Sequence, residues 1–88
     1  MEKETIYIPL DDPENYFYTP DLGCSAALLS DGFDLVSVDK ETKKAIFIFK
    51  RSSGIGESIE GYWNDSLKIK ARTYFDNIKA IKNWLYSK

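Results

Sequence analysis

The basic residues near the C-terminus are the strongest candidates for chemistry in this sequence. Residues 66–88 carry six basic side chains and a single acid, Asp76, which gives a local net charge of +5. Aromatic Phe75 and Tyr86 lie among them, and this mixture suits a nucleic-acid backbone or an acidic protein surface. A lysine-rich outer face is also how ordinary helices stay soluble, so both readings remain open. The candidate ridge consists of Lys68, Lys70, Arg72, Lys79 and Lys82.

An apolar surface is the second candidate. Residues 22–33 are apolar on two sides of a predicted helix, and residues 45–49 are apolar on both faces of a predicted strand. Such segments are either packed inside the protein or available to a partner. Phe47 and Phe49 also faintly resemble the base-stacking aromatics of an RNA-binding strand, with a core role as the alternative. The candidate interface consists of Tyr16, Phe17, Tyr18, Cys24, Leu28 and Phe47.

The groups that most enzymes and metal sites use are scarce. The sequence has no histidine and only one cysteine, Cys24. This composition excludes the usual zinc sites and the pairing of a serine or cysteine nucleophile with histidine. We therefore expect neither an enzyme nor a cofactor or metal requirement.

Glycine and carboxylate patterns do not change that expectation. The run Ser53-Gly54-Ile55-Gly56 stands between a predicted strand and a predicted helix, where phosphates often bind. It lacks the remaining residues of the dinucleotide and P-loop motifs, so a flexible helix entry explains it better. Carboxylates cluster at residues 11–14 and again at Glu57 and Glu60, and a solvated surface accounts for both groups.

Length and composition predict one small folded domain. The 88 residues are 43% hydrophobic and 15% aromatic, which suffices for one core but not for two. No apolar run approaches the roughly 18 residues of a membrane span, and the charged start Met1-Glu2-Lys3-Glu4 is unlike a signal peptide. With a lone cysteine, these features favour the cytoplasm. Residues 1–33 hold one lysine and seven acids, net −6, so charge is unevenly distributed along the chain.

The first half of the chain predicts a helix followed by a β-hairpin. Thr19 is a candidate N-cap before Pro20, and Gly32 stands where the helix should end. Residues 35–38 and 45–49 form the hairpin, and residues 16–18 are expected to be a loop or a short extended piece. Residues 5–8 could add an edge strand before Pro9.

The second half predicts two helices. One starts near Ser52 or Ser53 and closes at Asn64-Asp65, and residues 67–69 follow as a short strand or an extended linker. The last helix covers residues 71–86 with a core stripe of Tyr74, Ile78, Ile81 and Leu85. We expect Trp63, Phe49 and Ile78 to share one core.

Six segments of the chain form a recognisable set of motifs. They are Thr19-x-Asp21-Leu22, Ala26-Ala27, Gly32-Phe33-x-Leu35, Ile46-Phe47-x-Phe49, Tyr62-Trp63-Asn64 and the helix with Phe75, Ile78 and Ile81-Lys82. Together they resemble a small phage and bacterial family that is described as a domain of unknown function. The resemblance covers about residues 16–86 and implies a compact α-β-β-α-α domain in a mobile-element setting. It supplies no catalytic or ligand residues.

Together these patterns predict a single α+β domain over residues 1–88, with an acidic N-terminal segment (1–15) and a compact core (16–88). The expected sheet is an antiparallel hairpin or a three-stranded sheet packed with three helices. The expected function is a small non-enzymatic binding module of phage or mobile-element type. It would act through a protein partner or self-association in the cytoplasm, that of the host if phage-encoded. The alternative is nucleic-acid binding through the basic last helix.

Overall fold

The protein is described here by a computed structural model covering residues 12–41 and 43–86. The predicted α+β class is confirmed, with three helices and one three-stranded sheet in these ranges. No helix in the described part of the chain is both long and apolar enough to cross a membrane. In chain order, the elements are β1 (Tyr16–Thr19), α1 (Leu22–Ser30), β2 (Leu35–Asp39), β3 (Ile46–Lys50), α2 (Ile55–Trp63) and α3 (Ala71–Tyr86).

The sheet is antiparallel in the order β1-β3-β2, so the predicted hairpin of β2 and β3 is confirmed. The third strand is β1, from the segment that was expected to be a loop or a short extended piece. The element order therefore has a strand before the first helix, which corrects the α-β-β-α-α expectation. Residues 67–69 form no strand. Residues 5–8, the other candidate, lie outside the described residues.

Strand β3 is the central strand and is buried on both faces. Phe47 and Phe49 pack into the core cluster beside Leu28 of α1 and Ile81 of α3. Ile48 points to the opposite face because side chains alternate along a strand, and it is only 2% exposed. Of the two readings of this doubly apolar strand, a buried central strand is therefore the correct one.

Helix α1 is packed on several sides. Residues 24–28 are all buried, and the helix contacts both α2 and α3. The N-cap is Asp21, whose Oδ1 accepts from the Cys24 N–H at 2.7 Å. The expected cap, Thr19, instead ends β1, and its hydroxyl oxygen accepts from the Asp21 N–H. Gly32 ends the helix as predicted, in a left-handed conformation with φ +99°.

Left-handed residues flank helix α2 at both ends. Its N-cap is Gly54, at φ +89° and with no side-chain cap, so the expectation of a serine cap was wrong. Asp65 adopts φ +67° just beyond the helix. The N–H groups of Asp65 and Ser66 then bond the carbonyls of Tyr62 and Gly61, which satisfies the last turn. The run Ser53-Gly54-Ile55-Gly56 is thus the entry to α2, where Gly54 provides the left-handed cap.

Helix α3 matches its predicted limits and its predicted core stripe. Ile81 is buried in the core cluster, and Tyr74, Ile78 and Leu85 pack against it. Two hydrogen bonds also join α3 to α1. The Tyr74 hydroxyl donates to the Gly23 carbonyl at 3.3 Å, and Asn77 Nδ2 donates to Ser30 Oγ at 3.0 Å.

Trp63 is the main error in the expected core. Its side chain is 60% exposed, whereas Phe49 is fully buried and Ile78 packs against the core. Trp63 contacts the neighbouring Tyr62 ring edge-on, with the ring centroids 4.9 Å apart. It therefore lies at the surface and contributes little to the core.

This difference predicts opposite results for two aromatic truncations. Phe49→Ala should lower the free energy of unfolding by about 3–5 kcal/mol, because it leaves a cavity in the core. Trp63→Ala should cost about 1 kcal/mol, the value of an exposed ring contact. Urea unfolding followed by circular dichroism measures both. Equal losses in the two variants would show that Trp63 is part of the core.

Candidate binding surface

The exposed side of α3 carries the basic and aromatic residues that the sequence singled out. The core stripe holds one side of the helix against α1 and the core cluster, and most of the remaining positions are exposed. At 100° per residue, five exposed residues lie within an arc of about 80°, centred about 110° around the helix from the core stripe. We call this arc the basic–aromatic face, and it consists of Arg72, Phe75, Lys79, Lys82 and Tyr86.

All five residues of this face are exposed. The Phe75 ring is 55% exposed and Tyr86 is 82% exposed, which is unusual for large aromatic side chains. The Lys79 ammonium lies 5.3 Å from the centroid of the Phe75 ring, within the range of a cation–π contact. The structure therefore places rings and cations side by side on one open surface.

One acid borders the face, about 40° around the helix beyond Arg72. Asp76 Oδ1 accepts from Arg72 Nε at 3.3 Å, and both side chains are mostly exposed. An exposed pair of this kind, four residues apart on a helix, is worth only about 0.3–0.5 kcal/mol. Arg72 can therefore exchange Asp76 for an external anion at low cost.

Lys68 and Lys70 do not join this face, although the sequence placed them on the same ridge. They line an open cleft of about 570 Å³ between the end of α1 and the start of α3, together with Ser30, Asp31, Ile69 and Thr73. Thr73 lies about 140° around the helix from the centre of the basic–aromatic face. The ridge is thus divided into two separate basic regions.

The structure corrects half of the expected apolar interface. Cys24 and Leu28 are fully buried, and Phe47 is 2% exposed. These three residues belong to the core cluster, where α1 meets the sheet, and cannot reach a partner in the folded protein. Their apolar character reflects packing on several sides.

The three aromatics of β1 are half-buried. Phe17 packs against the core cluster, with the Arg51 guanidinium 5.8 Å from its ring centroid. Tyr16 and Tyr18 lie on the other face of the sheet, with ring centroids 6.5 Å apart. The Tyr18 hydroxyl accepts from the Asp12 N–H at 3.0 Å, so this ring also helps to fix the turn before β1. Only part of each ring is open to solvent.

A small pocket of about 270 Å³ opens beside α2 and α3, with Tyr62 and Tyr74 in its wall. Burial, then the hydrogen bond with Tyr74, raises the pKa of Tyr62 to about 12. Burial also raises the pKa of the Cys24 thiol to about 11, with a further contribution from the Asp21 carboxylate. Both groups are therefore neutral at physiological pH, and neither is an activated nucleophile.

The carboxylate clusters have ordinary structural roles. Asp12 accepts from the Asn15 side chain, and Glu57 and Glu60 are exposed on α2. Asp31 accepts from the Ser58 hydroxyl and ties α1 to α2. Across residues 12–41 and 43–86, no three metal-ligating side chains come together. Asp11 lies outside the described residues.

The Tyr62 phenol provides a test of this pocket. Since its pKa is raised in the folded state, its contribution to stability is complete below about pH 10 and is lost as pH rises towards 12. Tyr74→Phe removes the hydrogen bond and should lower the Tyr62 pKa, with burial keeping it above the usual value. Site-resolved NMR titration of the tyrosine rings measures this shift, and Tyr86→Phe is the control. A Tyr62 pKa that is the same in parent and Tyr74→Phe would contradict the assignment.

Comparison with known proteins identifies a family but no function. No curated protein and no solved structure is significantly similar to the chain. Residues 14–87, most of the sequence, match a family that is described as a domain of unknown function (DUF5659). The resemblance noted in the sequence is confirmed to that extent. The chain belongs to the DUF5659 family.

Proposed function

We propose that this protein is a small non-enzymatic binding module that contacts an anionic partner through the basic–aromatic face of α3. The observation that carries this proposal is the exposure of three cations and two large aromatic rings on one arc of the helix. The candidate apolar interface is less available, because Cys24, Leu28 and Phe47 are buried in the core. Binding through α3 is therefore better supported.

Catalysis has less support than binding. The sequence holds no histidine, and its one cysteine is buried with a raised pKa. A buried neutral thiol reacts slowly, because the thiolate is the nucleophile. By contrast, the exposed cations of α3 need no activation to bind an anion.

The basic–aromatic face can act although the whole chain is slightly acidic, at net −2. Charges beyond about 8 Å are screened at physiological salt, so a partner on α3 responds mainly to the nearest groups. On this side of the helix, the nearest charged groups are three cations and Asp76. The local charge is positive, and this favours a partner rich in phosphate, sulfate or carboxylate groups.

The biological setting remains part of the proposal. The sequence resemblance supports a phage or mobile-element accessory protein. A free, buried Cys24 is compatible with the reducing cytoplasm, that of the host if the protein is phage-encoded.

A protein partner, including a second copy of the chain, is the second candidate. It is favoured by Trp63 and Trp84, which are 60% and 46% exposed. Tryptophan is enriched at protein interfaces because a large ring buries much area at little entropic cost. Both residues lie outside the basic–aromatic face, so the two candidates use different surfaces.

Heparin, a sulfated polyanion, tests the proposed function. The double variant Lys79→Ala/Lys82→Ala should elute from a heparin column at clearly lower salt than the parent, because two exposed cations are lost. Alanine is a good helix former, so α3 should be retained. The matched control is Lys40→Ala/Lys43→Ala, which changes the net charge equally on an exposed connection far along the chain.

The control separates a local surface from overall charge. Elution of Lys40→Ala/Lys43→Ala close to the parent would support the basic–aromatic face. If the parent passes through the column at low salt, or if both double variants shift equally, the proposed function is wrong.

The tryptophans give a separate prediction for the second candidate. Sedimentation of the parent over a range of concentrations should reveal association, and Trp63→Ala or Trp84→Ala should reduce it. A monomer at all concentrations would exclude a second copy as the partner of either tryptophan. Thr73→Ala is a control on an exposed position of α3 that removes no large ring.

A further inference from the structure

The geometry points to single-stranded nucleic acid as the anionic partner of the basic–aromatic face, an inference that rests on the proposed function. The phosphates would contact Arg72, Lys79 and Lys82, and exposed bases would stack on Phe75 and Tyr86. Nucleic acid offers both a regular anionic backbone and planar rings, which match the two kinds of side chain on this face.

The residues follow one line along the helix. Phe75 and Tyr86 are eleven positions apart, which corresponds to about 16 Å along the axis and only about 20° around it. Lys79 and Lys82 lie between the two rings along the axis, about 60° apart and one on each side of the line that joins the rings. A strand laid along α3 therefore meets a ring near each end and two cations between them.

The rings are open enough to stack on bases. More than half of the Phe75 side chain and most of Tyr86 are exposed. The Lys79 ammonium covers part of Phe75 at 5.3 Å, but an exposed cation–π contact is weaker than the stacking of a base on an aromatic ring. A base can displace this ammonium, and the freed cation can then bind the adjacent phosphate.

Aromatic exposure distinguishes a single strand from the other anionic partners. Duplex DNA has the higher charge density, so cations alone would favour the duplex. Its bases are already stacked on each other, and the two rings of α3 would gain nothing from them. An acidic protein offers carboxylates without a planar base. The combination of cations and open rings favours the single strand.

Fluorescence anisotropy with labelled oligonucleotides tests the inference. A mixed-sequence single strand of about twelve nucleotides and the corresponding duplex would be titrated with the full chain at several salt concentrations. We expect tighter binding of the single strand and a log–log salt slope of about −2, from about three phosphates. Phe75→Leu/Tyr86→Leu should weaken single-strand binding about tenfold or more, with little change for heparin or the duplex.

One control variant and one replacement variant keep the test independent of folding. Trp63→Leu removes an exposed ring outside the face and should bind like the parent. Tyr86→Leu alone changes the last residue of α3, which is 82% exposed, so it can replace the double variant if that variant unfolds. Circular dichroism checks the fold of each variant.

The possible failures separate the two proposals. If heparin binds through Lys79 and Lys82 but the single strand does not bind, the inference is wrong and an acidic protein surface becomes the expected partner. Tighter binding of the duplex, or single-strand binding that is insensitive to both rings, also overturns the inference. If the parent protein does not bind heparin, the proposed function itself is wrong.

Discussion

The burial of α1 is the constraint on which the rest of the structure depends. Five consecutive residues, 24–28, are inaccessible to solvent because the helix packs against α2 and α3 and shares a core cluster with Phe47 and Phe49 of the sheet. Small side chains make this possible, since they let neighbouring elements approach closely. Gly23 illustrates the limit: a Cβ at this position would collide with the Tyr62 hydroxyl. The Gly23 carbonyl, in turn, accepts from Tyr74 and anchors α3.

This packing determines which side of α3 is available for binding. Hydrogen bonds from Tyr74 and Asn77 to α1 fix the rotation of the helix, and Ile81 inserts into the core. With one side fixed in this way, Phe75 and Lys79 must point outwards. The helix that carries the exposed rings is held at three positions, Tyr74, Asn77 and Ile81. Its backbone is therefore ordered before a partner binds, which lowers the entropic cost of binding.

Apolar and basic residues occupy different places in this molecule. The apolar residues of α1 and β3 that suggested an interface are needed inside, because a small domain has few residues with which to build a core. The basic residues lie outside, but the fold separates them. Lys68 and Lys70 line a cleft with Asp31, whereas Lys79 and Lys82 lie beside Phe75 and Tyr86. Only the second group combines cations with exposed rings, and for this reason the functional proposal rests on it.

The sequence by itself determined those features whose signals are local. Helical periodicity placed α3 and its core stripe, Gly32 marked the end of α1, and alternation identified β3 as a strand with two apolar faces. Tertiary structure decided the rest. Strand β1 exists because β3 offers it an unpaired edge, and its partners lie about 30 residues away in sequence. On α2, Tyr62 and Trp63 both fit the apolar period, and packing against the neighbouring elements turned Tyr62 inwards and left Trp63 exposed. The division of the lysines into two regions likewise required the path of residues 66–70, because the alternation of apolar residues and lysines in this segment does not determine where a segment outside helices and strands runs.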